Sequence, residues 1–215
     1  MNNGTFDFNL FLKESKETLL NPKSYFSTMK ISGGMIEPLI KAVIYGAVSG
    51  VIYFLWGILG LGSAVGGLFG ESVGIMLFIW AIIAAVIGMF IGGVVLLIIS
   101  SICKGNTDFE ANVRVTAAIM VVVPISALFG FTMGINFSLG LIISLVIKLY
   151  GLWLLYHGLV EALKGKPETA KIVSYVLIAL MVIFLIAGMS AKNRATRLLD
   201  KYNKDARELL KDSKK

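Results

Sequence analysis

Polar chemistry inside the apolar part of this sequence rests on four residues. Lys148, His157 and Glu161 lie in one run from Phe137 to Leu163, and Pro124 lies in the run before it. Lys148 stands about eleven residues beyond Phe137, roughly 16 Å along a helix that rises 1.5 Å per residue. A charge at that depth in a bilayer is costly, and it faces protein or water unless its stem reaches an interface. Lys148 is therefore either a snorkelling surface lysine or the centre of a polar intramembrane site. No acid stands at comparable depth in another apolar run. The expected partners are hydroxyls, carbonyls freed near Pro124, or water. His157 and Glu161 stand one helical turn apart, a spacing suited to a proton relay or to a hydrogen bond at the membrane surface. Their place near the end of the run favours the hydrogen bond. Pro124 removes a backbone donor and bends its helix, opening space beside it.

Catalysis finds no further support. The single histidine makes neither a triad nor a metal site alone, and no HExxH, GxSxG or phosphate-loop pattern occurs. The glycine-rich stretch from Gly60 to Glu71 has no Gly-Lys-Ser/Thr after it and no strand before it, so it reads as a turn. The single cysteine, Cys103, has no partner for an internal disulfide and is expected to pack as a small apolar residue. No catalytic residue, cofactor or metal site is expected, and the chain does not read as an enzyme.

The elements that hold these residues are membrane helices. Of the 215 residues, 57% are hydrophobic and 15% charged, against about 25% charged in a soluble domain. Five apolar runs are long enough to cross a bilayer: about 39–60, a span within 73–103, about 113–134, 137–163 and about 171–190. The fold expected is an all-α, polytopic helical membrane bundle. It divides into an amphipathic segment (1–36), a five-span domain (37–190) and a basic amphipathic C-terminal helix (191–215). The 73–103 run exceeds one crossing, which leaves a hidden sixth span as an alternative. Gly46/Gly50 and Gly88/Gly92 form GxxxG pairs suited to close helix packing. In the N-terminal segment, Asp7 or Asn9 is placed to cap a helix whose face is Phe8, Phe11, Leu12, Ser15 and Leu19. Asn21-Pro22 opens a second helix with Tyr25, Phe26 and Met29 along one side. These two helices suit either the headgroup interface or the end of the bundle itself.

A net charge of +7 comes from basic residues beside apolar spans, which points to anionic lipid headgroups and not to nucleic acid. With the N-terminus in the cytoplasm, ten Lys and Arg fall on the inner side of the short connections and none in the two outer loops, the positive-inside pattern. Lys41 is then placed to snorkel to the inner interface. The nine basic residues of the tail fall outside and oppose the pattern. The first helix usually dominates, which favours the cytoplasmic N-terminus.

Three stretches together resemble a known family. Asn21-Pro-Lys-Ser-Tyr-Phe26 before a glycine pair and Pro38 resembles the entry to a Yip domain. Lys104-Gly-Asn-Thr-Asp-Phe109, followed by Arg114-Val-Thr and Pro124, is similar to its second-to-third helix connection. Leu152-Trp153, Gly158-Leu159 and Gly165-Lys-Pro-Glu-Thr-Ala170 are similar to its fourth-to-fifth connection. The resemblance covers roughly residues 20–190 and implies five spans. Eukaryotic members bind Rab-type GTPases in vesicle traffic, with cytosolic N-termini. Their Asp-Leu-Tyr-Gly-Pro motif is absent here, where Glu37-Pro38 takes a comparable place. That departure implies the prokaryotic branch and a prokaryotic cell membrane. The function expected is a membrane organiser or adaptor that binds partner proteins, lipids or a second copy of itself, linked to membrane trafficking or organisation. The alternative is a small-solute transporter or lipid-translocating protein with a polar site around Lys148.

Overall fold

The computed structural model describes residues 6–61 and 72–188. The tail helix expected over 191–215 and most of the glycine-rich turn lie outside the described residues. The chain divides into two compact units, residues 1–174 and 175–215. Over its described residues the second is the C-terminal part of the apolar helix Pro167–Gly188, with Tyr175 and Phe184 exposed. The first holds everything else discussed below.

Two short helices come first, α1 (Phe8–Leu20) and α2 (Pro22–Thr28). Asp7 caps α1 by accepting from the backbone of Asn9 and Leu10 at 2.9 and 3.0 Å. Proline begins α2, where its missing donor costs nothing. The spanning helices are α3 (Ile36–Ile58) and α4 (Ser72–Ile102), then a broken helix α5–α7 (Phe109–Ile119, Val122–Leu128, Thr132–Ile135). After these come α8 (Phe137–His157), which runs into a π-helical turn Gly158–Ala162, and α9 (Pro167–Gly188). Five of these segments are long and apolar enough to cross a membrane, and no strand occurs among the described residues. The chain is an all-α, polytopic membrane bundle. The 73–103 run is one unbroken helix, so it holds no sixth crossing.

Small residues set the closeness of packing. A Cβ on Gly46 would stand 2.8 Å from Ala85 Cβ and 2.9 Å from Ile82 Cα, and one on Gly50 would stand 2.8 Å from Phe78. The first glycine pair thus seats α3 on α4, as its spacing implied. The second works through one member only. Gly92 meets Thr116 at 2.8 Å, whereas nothing lies within 4 Å of a Cβ on Gly88. The neighbour that joins Gly92 in packing α4 on α5 is Gly93, whose Cβ would be 2.5 Å from Val113.

The bend at Pro124 falls where its chemistry puts it. The donor that proline lacks would have bonded the carbonyl of Met120, and the N–H of Val123 takes that carbonyl instead at 2.9 Å. The helix breaks at Met120 and Val121, and Pro124 sits in the first turn of α6.

Two Lys-Gly turns clasp each other at the ends of α4 and the π-turn. Lys104 and Lys164 both adopt φ of 57°, a left-handed conformation unusual for lysine. The Asn106 N–H donates to the Leu163 carbonyl at 2.7 Å, and the Lys166 N–H to the Cys103 carbonyl at 2.8 Å. Gly105 and Gly165 fill the gap between the turns, since a Cβ on Gly105 would lie 2.8 Å from the Leu163 carbonyl. Cys103 is sealed beneath the clasp, and burial pushes its thiol pKa up from the ordinary value. Thiolate is the reactive form, so Cys103 is expected to resist maleimide at neutral pH in the folded protein and to label fully after denaturation. A cysteine introduced at exposed Lys16, labelled in parallel, provides the comparison.

Candidate functional site

The polar groups of this protein gather at the end of the bundle that α1 and α2 cover. Lys41, one turn into α3, is 5% exposed and binds two carboxylates, Glu14 at 2.7 Å and Glu37 at 2.9 Å. Glu37 also pairs with Arg114 of α5 through its second oxygen. The Arg114 guanidinium is 3% exposed. It donates to the carbonyls of Lys30 at 2.9 Å and Gly34 at 2.8 Å, and Glu110 lies 3.8 Å away. Glu110 in turn accepts from the Gly34 N–H at 2.6 Å. Gly33 and Gly34 both take positive φ, which turns the loop so that it meets the guanidinium.

Three acids and two bases thus form one connected clamp. It ties α1, the loop before α3, α3 and α5 together. Such a network adds little net stability over apolar packing, but the loss of one member strands a charge that has no water. Each carboxylate is already engaged, and no nucleophile lies among them. The arrangement holds helices in place.

Around the clamp, Ser15 and Tyr45 share a hydrogen bond of 2.8 Å, and Tyr150 donates to the Leu19 carbonyl. Tyr25 and Phe26 are buried, with Phe26 against Gly158. Burial raises the Tyr25 phenol above its ordinary pKa, and the neighbouring Lys41 opposes this only in part. The packed face of α1 keeps Phe11 and Ser15 of the expected stripe and departs from it at Phe8 and Leu12. Phe11, Ser15 and Thr18 face the bundle with Glu14, while Phe8 and Leu12 are about half exposed. The pairs Ser15–Tyr45 and Glu14–Lys41 choose the face, and apolar periodicity does not register them. Lys41 is likewise a clamp residue and not a snorkelling one.

The four candidates from the sequence do not converge. Lys148 is exposed on α8 and makes no hydrogen bond or ion pair among the described residues. Pro124 is partly buried at the break in the third span. His157 packs edge-on against Trp153 at 5.0 Å and lines a cleft beside the α1–α2 turn, with its Nδ1 buried and unpartnered. Glu161 sits in the π-turn and forms no hydrogen bond or ion pair with His157. Serines 126 and 144 line a separate cavity of about 620 Å³ among Trp56, Trp80 and Phe131, and Lys148 is not part of it. No cluster of three or more His, Cys, Asp or Glu able to hold a metal occurs among the described residues.

Reading from sequence missed the clamp, although half of it was spaced visibly. Glu37/Lys41 and Glu110/Arg114 are both acid–base pairs four residues apart at the start of a span. What spacing does not reveal is that Glu37 links the two.

Neither a curated protein nor a solved structure matches the chain. A family model does: the Yip1 domain matches residues 16–189, which includes Lys41, Glu37 and Arg114 and all five spans up to the end of α9. With most of its length matched, the chain belongs to the Yip1-domain family.

Proposed function

We propose that this protein is a membrane organiser or adaptor, with the α1–α2 end in the cytoplasm of a prokaryotic cell, binding partner proteins or lipids there. The observation that carries the reading is the distribution of charge. Ion-paired residues build a cap at one end, whereas away from the span ends the described residues hold one unpaired lysine, Lys148, which is not in the lining of the Ser126–Ser144 cavity. A rigid platform suits recruitment of partners. A transport path needs polar groups that meet within the membrane. The cavity with Ser126 and Ser144 is the feature that favours the transporter alternative, and it lacks a charge.

Orientation and role are tested together in a deletion strain. A cysteine at Lys16 should label from outside only after the cells are permeabilised. Lys148→Met should change stability by less than about 0.5 kcal/mol, as expected of an exposed, unpartnered residue, and should restore the deletion phenotype. Charge reversal at exposed Lys13 and Lys16 of α1 should fold equally well and fail to restore it. Rescue by the α1 variant, with loss of rescue in Lys148→Met, would replace the adaptor with the transporter.

A further inference from the structure

The cleft beside the α1–α2 turn has the makings of a ligand site that the clamp does not use. Its volume is about 480 Å³, and its polar lining is Asn21, Lys23, Ser24, Ser27 and His157, with Trp153 forming one wall. Lys23 is exposed and forms no ion pair among the described residues. The Asn21 side chain makes no capping bond to α2, and Ser27 donates to the Ser24 carbonyl while the Ser24 hydroxyl has no partner. Neither Glu17 nor Glu161, the acids nearest to it in sequence, is in the lining. The cleft is thus cationic and rich in free donors.

Its walls are fixed in advance. Tyr150 ties the end of α1 to α8 through the Leu19 carbonyl, and Trp153 packs on both Tyr150 and His157, with ring centres 5.4 and 5.0 Å away. Phe26, fully buried, holds α2 against the π-turn.

An apolar track leads into it. Ile142, Val146, Leu149 and Trp153 are spaced four, three and four residues apart, which places them on one face of α8, and all four are exposed. The next position on that face is His157, in the cleft. Lys148 falls off the track by more than a quarter turn. A cation with hydroxyls at the end of a spanning helix, joined to an apolar stripe that runs back into the membrane, matches one kind of molecule.

We propose that this cleft binds the phosphate diester of an anionic phospholipid, with Lys23 pairing the phosphate, Ser24 and Asn21 donating to its oxygens, and an acyl chain lying along the α8 stripe. A soluble phosphate would use the donors but leave the stripe unused. One lysine gives a free anion little hold in water, whereas a lipid kept in the bilayer by its own chains is presented to the cleft at high effective concentration. The site rests on the multi-pass membrane fold alone and stands whether or not the cap recruits proteins.

The test uses the full chain with Trp56→Phe and Trp80→Phe, which leaves Trp153 as the single indole. The protein is placed in phosphatidylcholine nanodiscs containing small amounts of phosphatidylglycerol or phosphatidylcholine with brominated chains, and Trp153 quenching is followed. Brominated phosphatidylglycerol should half-quench at about a fivefold lower mole fraction than brominated phosphatidylcholine, the effect of roughly one lysine at an anionic surface. Lys23→Gln should remove that preference with the thermal midpoint unchanged, and Lys166→Gln, outside the lining, should keep it. Equal quenching by the two lipids, or equal loss in both lysine variants, would show diffuse attraction and end the proposal. Reversal of quenching by millimolar inorganic phosphate would assign the cleft to a soluble anion and overturn the lipid.

Discussion

Glu37→Ala lowers the stability of the folded protein by about 3 kcal/mol, the low end of the cost of breaking a buried ion pair. The low end applies because the Glu37 side chain is itself 42% exposed. The loss falls on Arg114, which keeps two carbonyls but has its remaining acid at 3.8 Å. Lys41 suffers less, since Glu14 stays at 2.7 Å. Thermal unfolding in detergent, followed by tryptophan fluorescence, should show a midpoint roughly 6–12 °C below wild type. Arg114→Met should cost less than Glu37→Ala, because it removes the buried charge itself and leaves Glu37 paired with Lys41 at 2.9 Å. The double variant should then be more stable than the sum of the single losses implies, the sign of a direct coupling. A Glu37→Ala midpoint within about 2 °C of wild type would mean that water reaches Arg114 and that the clamp is a surface feature.

Gly46→Leu is expected to disrupt the bundle outright. The new Cβ meets main-chain as well as side-chain atoms of α4, at 2.9 Å from Ile82 Cα and 3.1 Å from the Ala81 carbonyl, and backbone cannot rotate aside. Forcing α3 away from α4 costs about 3 kcal/mol or more and loosens the helix pair that forms the middle of the fold. Gly88→Leu provides the contrast, because nothing lies within 4 Å of its Cβ. It should leave stability within about 0.5 kcal/mol of wild type. The measurement is the fraction recovered as a monodisperse species after detergent extraction, together with its midpoint. If both leucines are tolerated alike, α3 and α4 do not pack at this distance.

How much of this was legible beforehand depended on range. The five spans needed only run length, because a backbone in hydrocarbon has to satisfy itself within one helix. Asp7 as a cap, the proline start of α2, the bend at Pro124 and the seating of Gly46 and Gly50 are likewise local, set within a turn or two. The clamp is not. Glu14 is 27 residues from Lys41, and Glu37 is 77 from Arg114, so their meeting depends on how helices cross. For the same reason Lys41 read as a snorkelling lysine, because a lysine near a span end looks the same whether or not a distant acid covers it. The α1 face was legible in part, since Phe11 and Ser15 of the expected stripe do meet α3 while Phe8 and Leu12 do not turn inward. Hydrophobic spacing counts Phe8 and Leu12, while two polar contacts with α3 decide which side turns inward. Lys148 drew attention as a charge in an apolar run, but its exposed, unpartnered setting could only be seen with the neighbouring helices in place.

The bond from Tyr150 to the Leu19 carbonyl joins residues 131 apart, and α2 rests on a turn that begins at Gly158. During synthesis, therefore, α2 leaves the ribosome long before the turn on which it rests. At 5–20 residues per second the wait is on the order of ten seconds. Throughout it Phe26, whose ring ends up beside Gly158, has no floor, and the nearest apolar surface is the membrane into which the later helices are being threaded. Docking of the cap then reports that the fourth span has been inserted. A nascent chain stalled before Gly158 therefore leaves the Phe26 ring without its seat, and a finished one buries it.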